Sequence, residues 1–232
     1  MNLLFDIETN GLLEEGDTVH CLVLKDLDTG CINRYDETGK HDRIAEGVKA
    51  LMYADTIWGH NVIAFDIPFI IKCFPYFKNY TAKVYDTLIM SRMFFTDLLD
   101  RDFRNKPPNM PAQMYGRHGL EAWGYRLGVL KSEYGKSLDG DWSTYTPDML
   151  EYCVADVEAN TPLVELFKPK IAVHETSIRL ETECAKVIKK IGCKITEVDI
   201  AEINISSLDK INADVCFNAL HGDFGEDGSI QG

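Results

Sequence analysis

Four acidic side chains and one tyrosine have the types and spacing for hydrolytic metal chemistry. Asp6 and Glu8 end an apolar run in LLFDIETNG, Asp66 lies in GHNVIAFDIPFI, and Tyr152 and Asp156 share the segment YCVAD. LLF reads as a buried strand, on which alternate side chains share a face, so Asp6 and Glu8 project together. Thr146-Pro147 reads as a helix N-cap and first position, which sets Tyr152 and Asp156 on one helical face. Four carboxylates brought together repel unless cations neutralise them, and two divalent ions carry the matching charge. That combination suits two-metal cleavage of a phosphodiester.

Each piece alone has a plainer reading. A strand ending in Asp-x-Glu is ordinary at a solvated sheet edge, and Tyr-x-x-x-Asp on a helix is usually a packed tyrosine beside a surface acid. Asp66 taken alone reads best as the cap of the helix that FDIPFIIKCF begins. The order of the pieces joins them: a strand end, a segment after a Gly-His-Asn turn, then a late helix.

The elements that must position these groups start with three strands, Leu3–Phe5, His20–Lys25 and Cys31–Tyr35, with turns at Asn10-Gly11 and Asp28-Thr29-Gly30. His41–Met52 fits an amphipathic helix with Ile44, Val48 and Leu51 inward, and Thr56–Trp58 a short strand entering Gly59-His60-Asn61. A helix over Phe65–Cys73, a strand end at Val84-Tyr85 and a helix over Asp86–Leu98 follow. Pro107, Pro108 and Pro111 mark a loop, and Gly119–Leu127 a short helix. The helix starting at Pro147 is expected to kink before Pro162. Hairpin-joined strands followed by strand–helix alternation imply an α/β fold, a mixed sheet flanked by helices.

Behind Pro169 the pattern changes to a helix over Val173–Ile191, a stop at Gly192, and a second helix from Thr196 to about Leu220. The expected division is a body over 1–168, a helical hairpin over 169–222 and a loose tail over 223–232. The hairpin buries too little to stand alone, so it must pack on the body or on a partner.

A length of 232 residues, 45% hydrophobic and 26% charged, allows one globular domain with an appendage. No signal peptide is expected ahead of the acidic strand, and no apolar run reaches bilayer-spanning length, so no membrane partner is expected. Seven scattered cysteines, an odd number without a Cys-x-x-Cys, fit a reducing cytoplasm and give no case for zinc or disulfides. The net charge of −13 argues at first sight against nucleic acid. Yet Arg92 to Lys136 holds eight basic residues, Lys131 and Lys136 among them, against five acids, Glu133 included. That segment is +3, leaving −16 elsewhere, and its Phe94, Phe95, Phe103 and Tyr115 could stack on bases. Trp123 and Tyr125 in the same segment read better as core.

DIETNGLL, GHNVIAFDIPFI, YDTLIMSRMF, HGLEAWGYRLG and YCVADVEANTPLVE resemble, in order and over nearly the whole chain, the N-terminal 3′–5′ proofreading exonuclease region of family A DNA polymerases from small lytic phages. HGLEAWGYRLG is the most specific of these, and the tyrosine in the last motif resembles the tyrosine-type DEDD exonucleases. The resemblance implies a ribonuclease-H-like mixed five-stranded sheet. It implies two divalent cations, magnesium or alternatively manganese, held by Asp6, Glu8, Asp66 and Asp156. Asp6 would bridge both ions, Glu8 and Asp156 would complete the water-activating site, and Asp66 would hold the second ion. Tyr152 would orient the water for in-line attack on the last phosphodiester of a single-stranded or frayed 3′ DNA end. The implied product is a 5′-mononucleotide, and the implied place is the cytoplasm of an infected bacterial host. Thr9, Asn10 and Asn61 are the implied contacts to the terminal nucleotide, and Asp86 is a supporting group or helix cap rather than a ligand.

The family continues into thumb, palm and fingers, so the last two helices resemble the start of a thumb. A polymerase portion, in the same full-length protein or a separate chain, is the implied partner. No palm motif is seen, so no DNA synthesis is expected from this chain alone. Two other readings stay open: a free-standing DEDD exonuclease acting on RNA or single-stranded DNA, and a docking module for a separate polymerase chain, whose hairpin would expose an isoleucine-rich apolar face.

Overall fold

The computed structural model describes residues 1–129 and 142–190, with side chains placed through 186. Lys131, Glu133, Lys136, the stop at Gly192, the helix from Thr196 and the tail lie outside the described residues.

Alternation in the first strand sets the architecture. Along β1 (Asn2–Thr9), Leu3, Phe5 and Ile7 enter one hydrophobic core and Leu4 enters another, so the sheet is covered on both sides. The remaining strands are β2 (Val19–Asp26), β3 (Ile32–Tyr35), β4 (Thr56–Gly59) and β5 (Lys83–Asp86), and the sheet order is β3-β2-β1-β4-β5. β1–β2 and β2–β3 pair antiparallel, while β1–β4 and β4–β5 pair parallel, the mixed five-stranded sheet expected. The fold is α/β and ribonuclease-H-like.

Two helices, α1 (Ile44–Met52) and α2 (Asp66–Cys73), cover the Leu3–Phe5–Ile7 face. The opposite face is covered by α3 (Thr87–Phe94), α4 (Leu98–Asn105), α5 (Leu120–Leu127) and α6 (Pro147–Lys190). α1 starts at Ile44, three residues later than the pattern predicts, because Arg43 is extended (φ −68°, ψ 145°). The helix expected over Asp86–Leu98 stops at Phe94. Phe95 leaves helical geometry (φ −131°, ψ 57°) and turns its ring edge-on to Trp123, 5.1 Å between centroids. α4 then occupies residues beyond the expected helix end, closing on Lys106 in the left-handed region (φ 46°).

The helix breaks at His174 rather than before Pro162. Pro162 and Pro169 both lie inside α6, and the non-helical residue is His174 (φ −120°, ψ 17°). An interior proline costs about 3 kcal/mol. Val157, Ala159, Leu163, Val164 and Phe167 are all buried around it, and burying large apolar side chains gains about 1.5–3 kcal/mol each. Packing therefore carries the helix through. Past His174, Ile178 is buried while Leu180 is exposed, and Lys83 of β5 pairs with Glu175 at 2.7 Å. This part of α6 packs back on the body.

Trp123 is core, as its pattern predicts, and Phe103 is exposed, its ring edge-on to Tyr115. No helix among the described residues is long and apolar enough to cross a membrane.

Candidate active site

Asp6 and Glu8 share the parity of Leu4, so β1 points them at the α6 side of the sheet. Glu8 lies opposite Cys21 and Thr9 opposite Val19, so the register skips His20, a β-bulge at the strand's end. α6 crosses above with Cys153, whose buried thiol donates to the Asp6 carbonyl (3.3 Å) and to Asp6 Oδ2 (3.4 Å). Carboxylate oxygens of Asp6 and Glu8 and the Cys153 sulfur all lie within 4.8 Å of one another. Burial first, then a Cys21 hydrogen bond and the Asp6 charge, push the Cys153 thiol well above its ordinary pKa, which keeps it neutral.

Asp66 arrives through the Gly59-His60-Asn61 turn. A Cβ on Gly59 would sit 2.0 Å from Val62 Cγ1 and 3.0 Å from the Phe5 carbonyl oxygen, so the chain needs glycine to pass β1. Asn61 takes the left-handed region (φ 63°), which asparagine tolerates best after glycine. Asp86 locks this turn. Its carboxylate accepts from the amides of Asn61 (2.9 Å), Ile63 (3.0 Å), Leu88 (2.9 Å) and Ile89 (3.4 Å), so one side chain both staples the turn and caps α3.

Asp66 is not the cap that its isolated pattern suggests. Phe65 holds the N-cap position without a side-chain bond, and Asp66 is the first residue of α2. Its carboxyl, 4% exposed, turns toward β1. Burial raises its pKa to about 7, with the negative charges of Asp86 and Asp156 adding to the rise; hydrogen bonds from its own amide and that of Ile7 pull the other way. Burial raises Asp86 as well, against its four amide bonds.

Asp156, 9% exposed, sits one turn after half-buried Tyr152 on α6, with Cys153 between them. One turn further, Asn160 Oδ1 lies 3.0 Å from the Thr87 hydroxyl, itself 2.9 Å from His60 Nδ1 and 3.2 Å from the Gly59 carbonyl oxygen. Fully buried Thr87 thus joins the turn, α3 and α6 at one point.

The structure sets Asp6 beside Glu8 and puts Asp66 within electrostatic reach of Asp156. Thr9 and Asn10 are turn-builders. The Thr9 hydroxyl donates to the Gly11 carbonyl (2.8 Å), and the Asn10 side chain bonds Asp17 and the amides of Asp17 and Thr18. The sequence reading did not find Cys153 or His20. A cysteine three residues before Asp156 on the same helix was the available signal for the first; nothing local marked a bulge at the second.

A bulged strand end, a stapled turn and a late helix converging on acids define an α/β protein with a carboxylate-rich centre. The chain matches a solved structure described as the apo form of the nuclease (TM-score 0.56, 22% identity, 85% of this chain and 88% of that one). It also matches Brucella melitensis NrnC with bound Mg2+ (TM-score 0.54, 18% identity, 85% and 89% covered). At these identities the likeness establishes the fold. In sequence, 183 residues are 31% identical to the DNA-directed DNA polymerase of Enterobacteria phage T3, covering 70% of this chain and 26% of the polymerase. The polymerase of Escherichia phage T7 is 29% identical over 182 residues with the same coverage. The chain is homologous to phage DNA-directed DNA polymerases and spans about a quarter of their length. A 61-residue stretch, 26% of the chain, is 43% identical to the D-alanine–D-alanine ligase of Ruegeria sp. (strain TM1040) and covers 20% of it, too little to bear on fold or site. No protein-family model matches the chain.

Proposed function

We propose that this chain is the 3′–5′ exonuclease part of a phage DNA polymerase, hydrolysing the 3′-terminal phosphodiester of DNA to release 5′-mononucleotides during proofreading. The observation that carries it is the acid arrangement: Asp6 and Glu8 together on β1, with Asp66 raised to about 7 by burial and by its neighbours Asp86 and Asp156. Homology to the phage polymerases supports DNA as the substrate and a polymerase portion as the partner. It likewise supports the infected host's cytoplasm as the place of action.

Asp6, Glu8, Asp66 and Asp156 offer hard oxygen donors, the set suited to magnesium or manganese. Bound there, two such cations would neutralise the acids and supply Lewis-acid and water-activating chemistry. The chain's own residues do the rest. Tyr152 holds the attacking water by its hydroxyl, and α6 fixes Tyr152 and Asp156 one turn apart. Asp86 and Thr87 keep the Asp66 turn and α6 in register, while Thr9, Asn10 and Asn61 shape the walls for the terminal nucleotide.

One observation favours a second reading, a free-standing exonuclease acting on RNA or single-stranded DNA. The two nuclease structures are matched over 88% and 89% of their own chains, so this body resembles a whole nuclease in size. Incubation with 5′-labelled DNA and RNA oligonucleotides, with magnesium or with chelator, tests both readings beside an Asp6→Ala/Glu8→Ala double variant. The expected result is a descending ladder on DNA that needs the metal and the acids. A ladder confined to RNA would favour the second reading, and no ladder from folded wild type would sink both.

A further inference from the structure

The bulge that ends β1–β2 has a counterpart across the site. A bulge re-aims the side chain of the residue it leaves out of register. Here that residue is His20, 8% exposed, whose Nε2 lies 2.8 Å from the Trp142 carbonyl oxygen. A carbonyl only accepts, so Nε2 carries the hydrogen. Three residues on, the Tyr145 hydroxyl donates to Asp36 Oδ2 (3.1 Å). Asp36, 2% exposed, is itself held by the Thr38 amide (2.8 Å) and hydroxyl (2.7 Å). The segment from Trp142 to Tyr145 is therefore pinned at two points to the β2–β3 side of the sheet just before α6 begins.

That double anchor sets the Trp142 ring against Tyr152, with centroids 6.1 Å apart and planes at 63°. Edge-on contact is a favoured arrangement for two aromatic rings and restricts the rotation of both. Tyr152 is the side chain whose hydroxyl direction matters most to the proposed reaction, because it holds a water rather than a metal.

We propose that Trp142 is a positioning residue for Tyr152, held in place by His20 and acting on turnover through the direction of the Tyr152 hydroxyl. The inference rests on the exonuclease reading above. A misplacement of about 1 Å at a reacting group can cost 10²-fold in rate. Loss of the indole therefore lowers kcat and leaves the binding of the DNA end and of magnesium nearly unchanged.

The test is a double-mutant cycle on a single-stranded DNA substrate, with kcat, KM and the magnesium midpoint measured for wild type, Trp142→Ala, Tyr152→Phe and the double variant. Trp142→Ala is expected to lower kcat about 10- to 100-fold with KM within about threefold, and Trp142→Phe to recover most of it. The double variant is expected to be no slower than Tyr152→Phe alone. Thermal unfolding checks that each variant folds. If Trp142→Ala does not, His20→Gln carries the test by loosening the anchor, with the same expected dependence on Tyr152. Losses that multiply in the double variant, or a raised KM at unchanged kcat, would overturn the inference and leave the exonuclease reading standing. A wild type that cuts no DNA would overturn both.

Discussion

Asp102 and Asp66 are both buried carboxylates, 2% and 4% exposed, with different surroundings. Asp102 on α4 meets the Arg126 guanidinium side-on, Nε to Oδ1 at 3.0 Å and Nη2 to Oδ2 at 2.7 Å, and accepts the Gly116 amide at 2.9 Å. Arg126 in turn donates to the Arg117 carbonyl (2.7 Å) and lies 5.0 Å from the centre of the Trp123 ring. Charge and hydrogen bonds are balanced inside the protein. Around Asp66 the nearest influences are amides and two further acids, Asp86 and Asp156, and its proton is held up to about 7. The first arrangement closes on itself and holds α4, α5 and the loop between them. The second sets acid beside buried acid, the arrangement that the proposed function uses.

If the two carboxylates differ in this way, substitutions at each should have opposite consequences for turnover and stability. The largest effect is expected from Asp66→Asn, which keeps the shape and removes the charge. Exonuclease turnover should fall on the order of 10³-fold, the scale for losing a group that stabilises the reaction's charge. Its metal-free melting temperature at pH 8 should nevertheless rise, because a buried charge has gone. Equal turnover in Asp66→Asn and wild type would remove Asp66 from the site.

Next is Arg126→Ala, which strands Asp102. Removing one partner of a buried ion pair costs about 3–5 kcal/mol, read as a lower urea midpoint, with turnover per folded molecule within a few-fold of wild type. A stability change under about 1 kcal/mol would show that the pair is not the closed structural unit described.

The smallest effect is the pH dependence of the metal-free protein. The folded-state pKa of Asp66, about 7, lies above its ordinary value of 3.8, so the folded state holds this proton more tightly than the unfolded chain. Its contribution is whole below pH 3.8 and is lost as pH rises through about 7. The loss is on the order of 3 kcal/mol between pH 5 and 8. Asp86, also raised by burial, shifts stability in the same direction. Urea titrations with chelator should show this decline, and magnesium should reverse it at pH 8. A flat profile without metal would mean that the acids are balanced within the chain after all.

Much of the fold was legible because it is written in short-range pattern. Leu3–Phe5 and His20–Lys25 read as strands from apolar runs, and each strand proved longer at both ends. Asp6 and Glu8 share a face because alternation along a strand is local geometry. Asp66 was harder: at the start of a helix an acid reads as a cap, and its turn toward β1 depends on Gly59 passing the Phe5 carbonyl. The split between α3 and α4 was hidden because Phe95 leaves the helix for a contact with Trp123, a residue distant in sequence.

Local pattern alone sets the alternation of β1, the hairpin order of the early strands, and the spacing that puts Tyr152 and Asp156 on one helical face. These follow from periods of two and about 3.6 residues, which need no knowledge of the rest of the chain. Tertiary packing settles that α6 stays helical through Pro162 and Pro169 and breaks at His174, that His20 is bulged toward Trp142, and that Cys153 meets Asp6. Those outcomes come from balances of burial, charge and hydrogen bonding between segments more than a hundred residues apart or packed on different faces. Local propensity has no term for such distances, so sequence pattern can nominate acids for a site and cannot supply the electrostatics they meet.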